Sequence, residues 1–165
     1  IRQLRRKFPN REAYVCDVCS PELEQYGPAD IVFAFGLLYH LPEPVEFLQA
    51  CSKLADILLL ETPVVDAIEP EIVWMRDGRF YDQSIHQRGC RPSPSWIEEQ
   101  LSSIGYHYVV DLCLPHENLQ GVVAPGYLWP IRGTGGGRLF GDPGGRRIWA
   151  AAKTEKQLVD GKITL

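Results

Sequence analysis

Two stretches of the chain are apolar at every position instead of at alternate ones. Residues 31–35 are Ile-Val-Phe-Ala-Phe, and residues 57–60 are Ile-Leu-Leu-Leu. Short unbroken runs of this kind predict strands buried on both faces, as in a parallel sheet. The first strand is predicted over 30–36. The second, over 57–60, leads into Glu61-Thr62-Pro63, where proline cannot donate to a ladder. Between them the period changes. Pro44 suits the first turn of a helix, and Val45, Phe47, Leu48, Cys51 and Leu54 give that helix an inner face.

Weaker patterns flank this centre. Residues 1–8 are expected to end a helix stopped by Pro9-Asn10, 12–18 to form a short strand, and 21–27 to connect it to the next element. A later helix is predicted over 95–104, with Ser95 as N-cap, Glu98 completing a capping box, and Ile97, Leu101 and Ile104 on one face. Gly105 then suits the position just past the helix end. Strands are expected at 106–113 and at 147–153, the latter carrying Ile148, Trp149 and three alanines. Two long connections remain. Residues 64–94 contain Trp74, Arg76, Phe80, Tyr81, His86 and Arg91; residues 114–146 contain Trp129 and many glycines. Loops of this length are often functional lids or disordered. There is no internal repeat. The alternation of strand and helix predicts an open, mostly parallel α/β sheet in one domain, with its core in 12–62 and 95–153. Ligands of such sheets bind beyond the carboxyl ends of the strands, which points to 17–19, 35–41 and 61–65.

Composition adds little to this picture but excludes several classes. With 45% hydrophobic residues, 23% charged and a net charge of −4, the 165 residues have an ordinary globular composition, which argues weakly against general nucleic-acid binding and leaves room for a local basic patch. No apolar run approaches the roughly 20 residues of a membrane helix. The opening residues are basic, unlike a signal peptide, and no initiator Met is present, so the chain is expected to be cut from a longer one. Cys16, Cys19, Cys51, Cys90 and Cys113 are odd in number and widely spaced, which does not suggest a disulfide framework. Cys16 and Cys19 form a CxxC, but a zinc site would want a second pair and a redox motif would open a helix. Buried, unpaired thiols in a reducing cytoplasm are expected. The glycines at 133, 135, 136, 137, 141, 144 and 145 lead into a strand, whereas phosphate cradling needs a helix N-terminus, so they are expected to form a flexible loop.

Residues 29–64 spell ADIVFAFGLLYHLPEPVEFLQACSKLADILLLETPV, preceded by VCDV at 15–18 and followed by GYHYVVDL at 105–112 and RRIWAAAK at 146–153. This resembles the central and closing parts of class I S-adenosylmethionine-dependent methyltransferases. The resemblance implies a Rossmann-like α/β fold: a mostly parallel sheet with an antiparallel C-terminal strand pair. The first strands of the family fold, with their acidic glycine-rich cofactor turn, are missing. S-adenosyl-L-methionine is the implied cofactor. Asp17 would accept from the adenine amino group, and Val18 would offer its amide to the ring. Phe35 and Gly36 would lie along the methionine part, with Leu38, Tyr39 and His40 bordering the reacting centre. Structural roles compete with these: Asp17 as a strand end, Gly36 as a plain turn, His40 as a packed histidine.

The resemblance further implies methyl transfer, with His40 or His86 as a base for an oxygen nucleophile. Tyr39, Trp74, Arg76, Tyr81 and Arg91 are the candidate substrate contacts. A small molecule or a glycan is the first expected substrate, and no membrane partner is expected. The stretch from Gly36 to Asp66 also resembles tRNA uridine-5-oxyacetic acid carboxymethyltransferases, which use a carboxylated cofactor, so tRNA is the second substrate class. A non-catalytic remnant or partner subunit is the third reading. Lacking the first cofactor turn, the chain alone is expected to bind cofactor poorly and to be inactive, and its open sheet edges to invite self-association.

Overall fold

The computed structural model describes residues 1–65, 67–76, 88–112, 145–159 and 162–163. Both unbroken apolar runs form strands. Strand β1 (Val32–Phe35) pairs in parallel with β2 (Ile57–Pro63), and helix α2 (Pro44–Leu54) connects them. A short helix α1 (Arg2–Lys7) precedes them and buries none of its residues. After β2 come β3 (Ile72–Arg76), β4 (Arg88–Pro92), helix α3 (Pro94–Ser103), β5 (Tyr108–Asp111) and β6 (Arg146–Ala152). A two-residue pair, β7 (Leu158–Val159) and β8 (Lys162–Ile163), closes the described chain.

The main sheet has the order β1-β2-β6-β5. Strand β6 runs antiparallel to both β2 and β5, giving the expected antiparallel C-terminal pair. Its alanines face the leucines of β2, Ala150 opposite Leu59 and Ala151 opposite Leu58. Because side chains alternate along a strand, Leu58, Leu60, Trp149 and Ala151 share one face. They pack there with Phe47, Leu48 and Cys51 of α2 and Ile97 and Leu101 of α3. The other face has a smaller cluster around Ala150 and Ala152.

Four expectations need correction. Residues 12–18 form no strand: they run irregularly, because a strand needs a neighbouring backbone and none of the described strands lies beside them. Strand β1 is not buried on both faces or central in the described sheet. It is the edge strand, and Phe33 and Phe35 are 62% and 53% exposed on the face away from α2. The helix expected at 95–104 runs over 94–103, and its cap lies two residues before Ser95, at Ser93, whose side chain accepts from the Trp96 amide. The connection 64–94 is not featureless: β3 and β4 pair antiparallel within it. The glycine cluster lies outside the described residues except for Gly145. Of the thiols, Cys51 and Cys90 are buried while Cys16 and Cys19 are half-buried; all four are free, and Cys113 lies outside the described residues. No described helix is long and apolar enough to cross a membrane.

Candidate active site

Parallel pairing places the carboxyl ends of β1 and β2 side by side, with Phe35 opposite Glu61. Gly36 ends β1 at φ 65°, a left-handed conformation that a residue with a Cβ adopts only at a cost. Its amide donates to the Glu61 backbone carbonyl at 3.2 Å and to Glu61 Oε2 at 2.8 Å. The second carboxylate oxygen, Oε1, receives Arg146 Nη1 at 2.5 Å. Arg146 Nη2 then donates to the Tyr39 hydroxyl at 3.1 Å. Register explains the meeting of these residues. Ile148 faces Glu61 across the β2–β6 ladder, and Arg146, two residues before it, projects from the same side of the sheet.

Glu61 is a buried charge, so its position depends on these partners. Burial works against the Arg146 cation, but its hydrogen bonds to Glu61 and Tyr39 outweigh that and hold the guanidinium above its ordinary pKa. Tyr39 lies in a single turn of 3-10 helix, Leu38–His40. Two guanidinium groups approach its ring, Arg91 at 4.9 Å and Arg146 at 5.2 Å, within cation–π range. The His40 ring lies 3.8 Å from that of Tyr39. Strand β4 covers this turn: Cys90 Sγ donates to the Leu38 carbonyl at 3.7 Å, and Arg91 Nη1 to the Cys90 carbonyl at 2.9 Å. Burial pushes the Cys90 thiol up to about 12, so it stays protonated.

No family model matches the chain. Over 89 residues, 52% of the chain, it is 37% identical to a tRNA U34 carboxymethyltransferase of Idiomarina loihiensis. The chain spans about a quarter (26%) of that relative's length. A crystal structure of the N-terminal domain of EvdMO1 with SAH bound matches 60% of this chain and 45% of its own, with a TM-score of 0.53 and 18% identity. The same domain crystallised in the presence of SAH and D-fucose matches 86% of this chain and 54% of its own, with a TM-score of 0.59 and 13% identity. The chain has the fold of class I S-adenosylmethionine-dependent methyltransferases.

Within this methyltransferase fold, the sequence-predicted residues divide into two groups. Gly36, Tyr39, His40 and Arg91 come together at the ends of β1 and β2. Phe35 is beside them, edge-on to Phe33 with ring centroids 5.8 Å apart. Leu38 belongs to the same turn, but its side chain is fully buried in the core, so it anchors the turn. Asp17 and Val18 lie in the irregular segment before the 3-10 helix Pro21–Tyr26. Asp17 is exposed, and its Oδ1 accepts from the Cys19 amide at 3.0 Å, a local side-chain turn. Val18 packs against the main core. Trp74, on β3, is 40% exposed and stacks under the Arg88 guanidinium at 4.0 Å, a separate pair on the hairpin. Arg76 faces Arg88 in backbone register; its side chain, and all of Tyr81 and His86, lie outside the described residues.

Sequence reasoning gave no role to Glu61, Arg146, Arg88 or Cys90. Glu61 did lie in the strand-end window 61–65. An acidic residue at the end of a fully apolar run is a detectable sign, because charge is rarely buried without a partner. Arg146 carried no such sign, since its partner is 85 residues away.

Proposed function

We propose that the protein carrying this chain is an S-adenosylmethionine-dependent methyltransferase acting on a small molecule or a sugar. The observation that carries this reading is the Gly36 turn. It is left-handed, its amide is held by a buried carboxylate, and it closes the first of two parallel strands where open α/β sheets take their ligands. A solved domain of the same fold was crystallised with SAH, S-adenosylhomocysteine, and again in the presence of SAH and D-fucose.

The residues present fit one wall of such a cofactor site. The bound cofactor supplies the chemistry, a methyl group on a sulfonium. The protein supplies position and exclusion of water. Gly36, lacking a Cβ, lets a ligand approach the backbone closely, with Phe35 beside it. Asp17 and Val18 would meet the adenine end. Tyr39, oriented by Arg146 and Arg91, would face the acceptor, with Trp74, Arg76 and Tyr81 contributing from the hairpin segment. His40, stacked on Tyr39, would take a proton from an acceptor hydroxyl, with His86 as the alternative base. Among the described residues no strand lies beside the outer edge of β1, and further strands there would supply the opposite wall. Free thiols fit a reducing compartment such as the cytoplasm.

A second reading is a tRNA wobble-uridine carboxymethyltransferase-like enzyme. It is favoured by the 37% identity to such an enzyme and by the two guanidinium groups around Tyr39, which suit an anionic group on a carboxylated cofactor. One set of measurements tests both. Calorimetry on the full-length protein should give micromolar binding of S-adenosylhomocysteine, about −8 kcal/mol. Release of S-adenosylhomocysteine in the presence of free sugars supports the first reading. Preference for a carboxylated cofactor, with transfer to tRNA, supports the second. No binding of either cofactor leaves a non-catalytic subunit.

A further inference from the structure

Glu61 stands where the two sides of the proposed site meet, and the backbone alone does not require a charged residue there. On β2 it is flanked by Leu60 and Thr62, and its own side of the strand carries Leu59 and Pro63, none of them charged. Instead a buried carboxylate points from β2 at two groups with different neighbourhoods. One oxygen receives the Gly36 amide at 2.8 Å; the other receives Arg146 at 2.5 Å, which itself reaches the Tyr39 hydroxyl at 3.1 Å. Gly36 already has a backbone acceptor in the Glu61 carbonyl at 3.2 Å, so the side-chain bond is an additional fix on the turn.

We propose that Glu61 is a positioning residue of this site: it sets the Gly36 turn on the cofactor side and, through Arg146, the Tyr39 ring on the acceptor side. The proposal rests on the methyltransferase reading for its ligand. Both oxygens of the carboxylate are used, and only a carboxylate offers two equivalent acceptors in this geometry. An amide offers one. Glu61→Gln therefore keeps the size of the side chain but can serve Gly36 or Arg146, not both.

The test uses the full-length protein, with S-adenosylhomocysteine as the probe. Glu61→Gln should weaken its binding about tenfold, the loss expected for one charge-assisted hydrogen bond, and Glu61→Ala at least as much. A ligand-free measurement accompanies it. In nitrogen-labelled Glu61→Gln, either the Gly36 amide proton should shift upfield and exchange faster with solvent, or the Tyr39 ring resonances should shift, since the single amide oxygen can keep only one of the two partners. A Gln variant that binds like wild type, or that leaves both the Gly36 amide and the Tyr39 ring resonances unmoved, overturns the proposal. If Glu61→Ala does not fold, the Gln variant decides alone. If wild type itself fails to bind the probe, the methyltransferase reading falls, while the Gly36 and Tyr39 resonances still show whether Glu61 sets the turn and the ring.

Discussion

Arg146 and Arg147 are neighbours on β6, so their side chains leave opposite faces of the sheet. Each ends on a buried acid. Arg146 reaches Glu61 at the mouth of the site, whereas Arg147 bonds Asp111 of β5 at 2.6 Å, with side chains 1% and 2% exposed. The second pair carries little net stabilisation compared with well-packed apolar residues, because both charges have left water. Arg147 Nε also finds no hydrogen-bond partner among the described residues. Breaking the pair is a different matter, since it strands one charge. Arg147→Met alone is expected to cost about 3–5 kcal/mol, while Arg147→Met combined with Asp111→Leu should recover most of that loss. Urea unfolding of wild type, single and double variants checks this; a double variant as unstable as the single would mean the pair holds the strands by more than charge. In sequence, two adjacent arginines at the end of a glycine-rich stretch look like surface charge. Only the pairing of β6 with β2 and β5 shows that Arg147 is enclosed and that Arg146 ends on a buried acid.

At the scale of elements, legibility follows the strength of the local signal. The runs at 31–35 and 57–60 and the helix between them were readable because apolar periodicity alone specifies them. The β3–β4 hairpin was not: Arg88–Pro92 contains Gly89, two arginines and a proline, and no alternation. The strand expected at 12–18 was lost because a strand is a property of two segments, and local pattern cannot supply the second. The cap of α3 was misplaced by two residues, since Ser93 and Ser95 both precede the apolar face. The capping-box partner Glu98 is engaged elsewhere, accepting from Trp149 Nε1 at 3.4 Å. Ser93 Oγ accepts from the Trp96 amide at 3.1 Å and the Glu71 amide at 3.0 Å, so one hydroxyl ties α3 to the chain entering β3. Ser93→Ala should therefore cost about 1–2 kcal/mol, the upper part of the usual loss for an N-cap. Ser95 donates to the Ile68 carbonyl at 2.8 Å; Ser95→Ala should cost no more than about 0.5 kcal/mol, like most changes outside such features. Chemical denaturation of the two variants gives the order, and the reverse order would return the cap to Ser95.

For the whole molecule, the site sits at one end of a sheet whose main core lies on one face, and that core encloses several groups that lose protons only in alkali. Burial pushes the Cys51 thiol from 9.0 to about 12, and Cys90 equally, one from α2 and one from the hairpin. Burial raises the Tyr106 phenol as well, and its hydroxyl donates to the Ala55 carbonyl at 3.0 Å. The sign follows from proton counting. Between pH 9 and 12 the unfolded chain releases thiol protons that the native protein keeps. The unfolded state then binds fewer protons, and stability falls as pH rises. The contribution is complete below the unfolded value of 9.0 and is lost towards about 12, with a slope of at most about 1.4 kcal/mol per pH unit for each thiol. Urea midpoints of the purified protein at pH 7, 9, 10 and 11 should be level at first and then decline. Replacing Cys51 and Cys90 with alanine should lower the plateau, because cavities replace the thiols, yet make the alkaline decline shallower than in wild type. An unchanged slope would show that the two thiols reach solvent before the sheet opens, and that the hairpin does not close over the turn at Leu38 as tightly as the Cys90 contact implies.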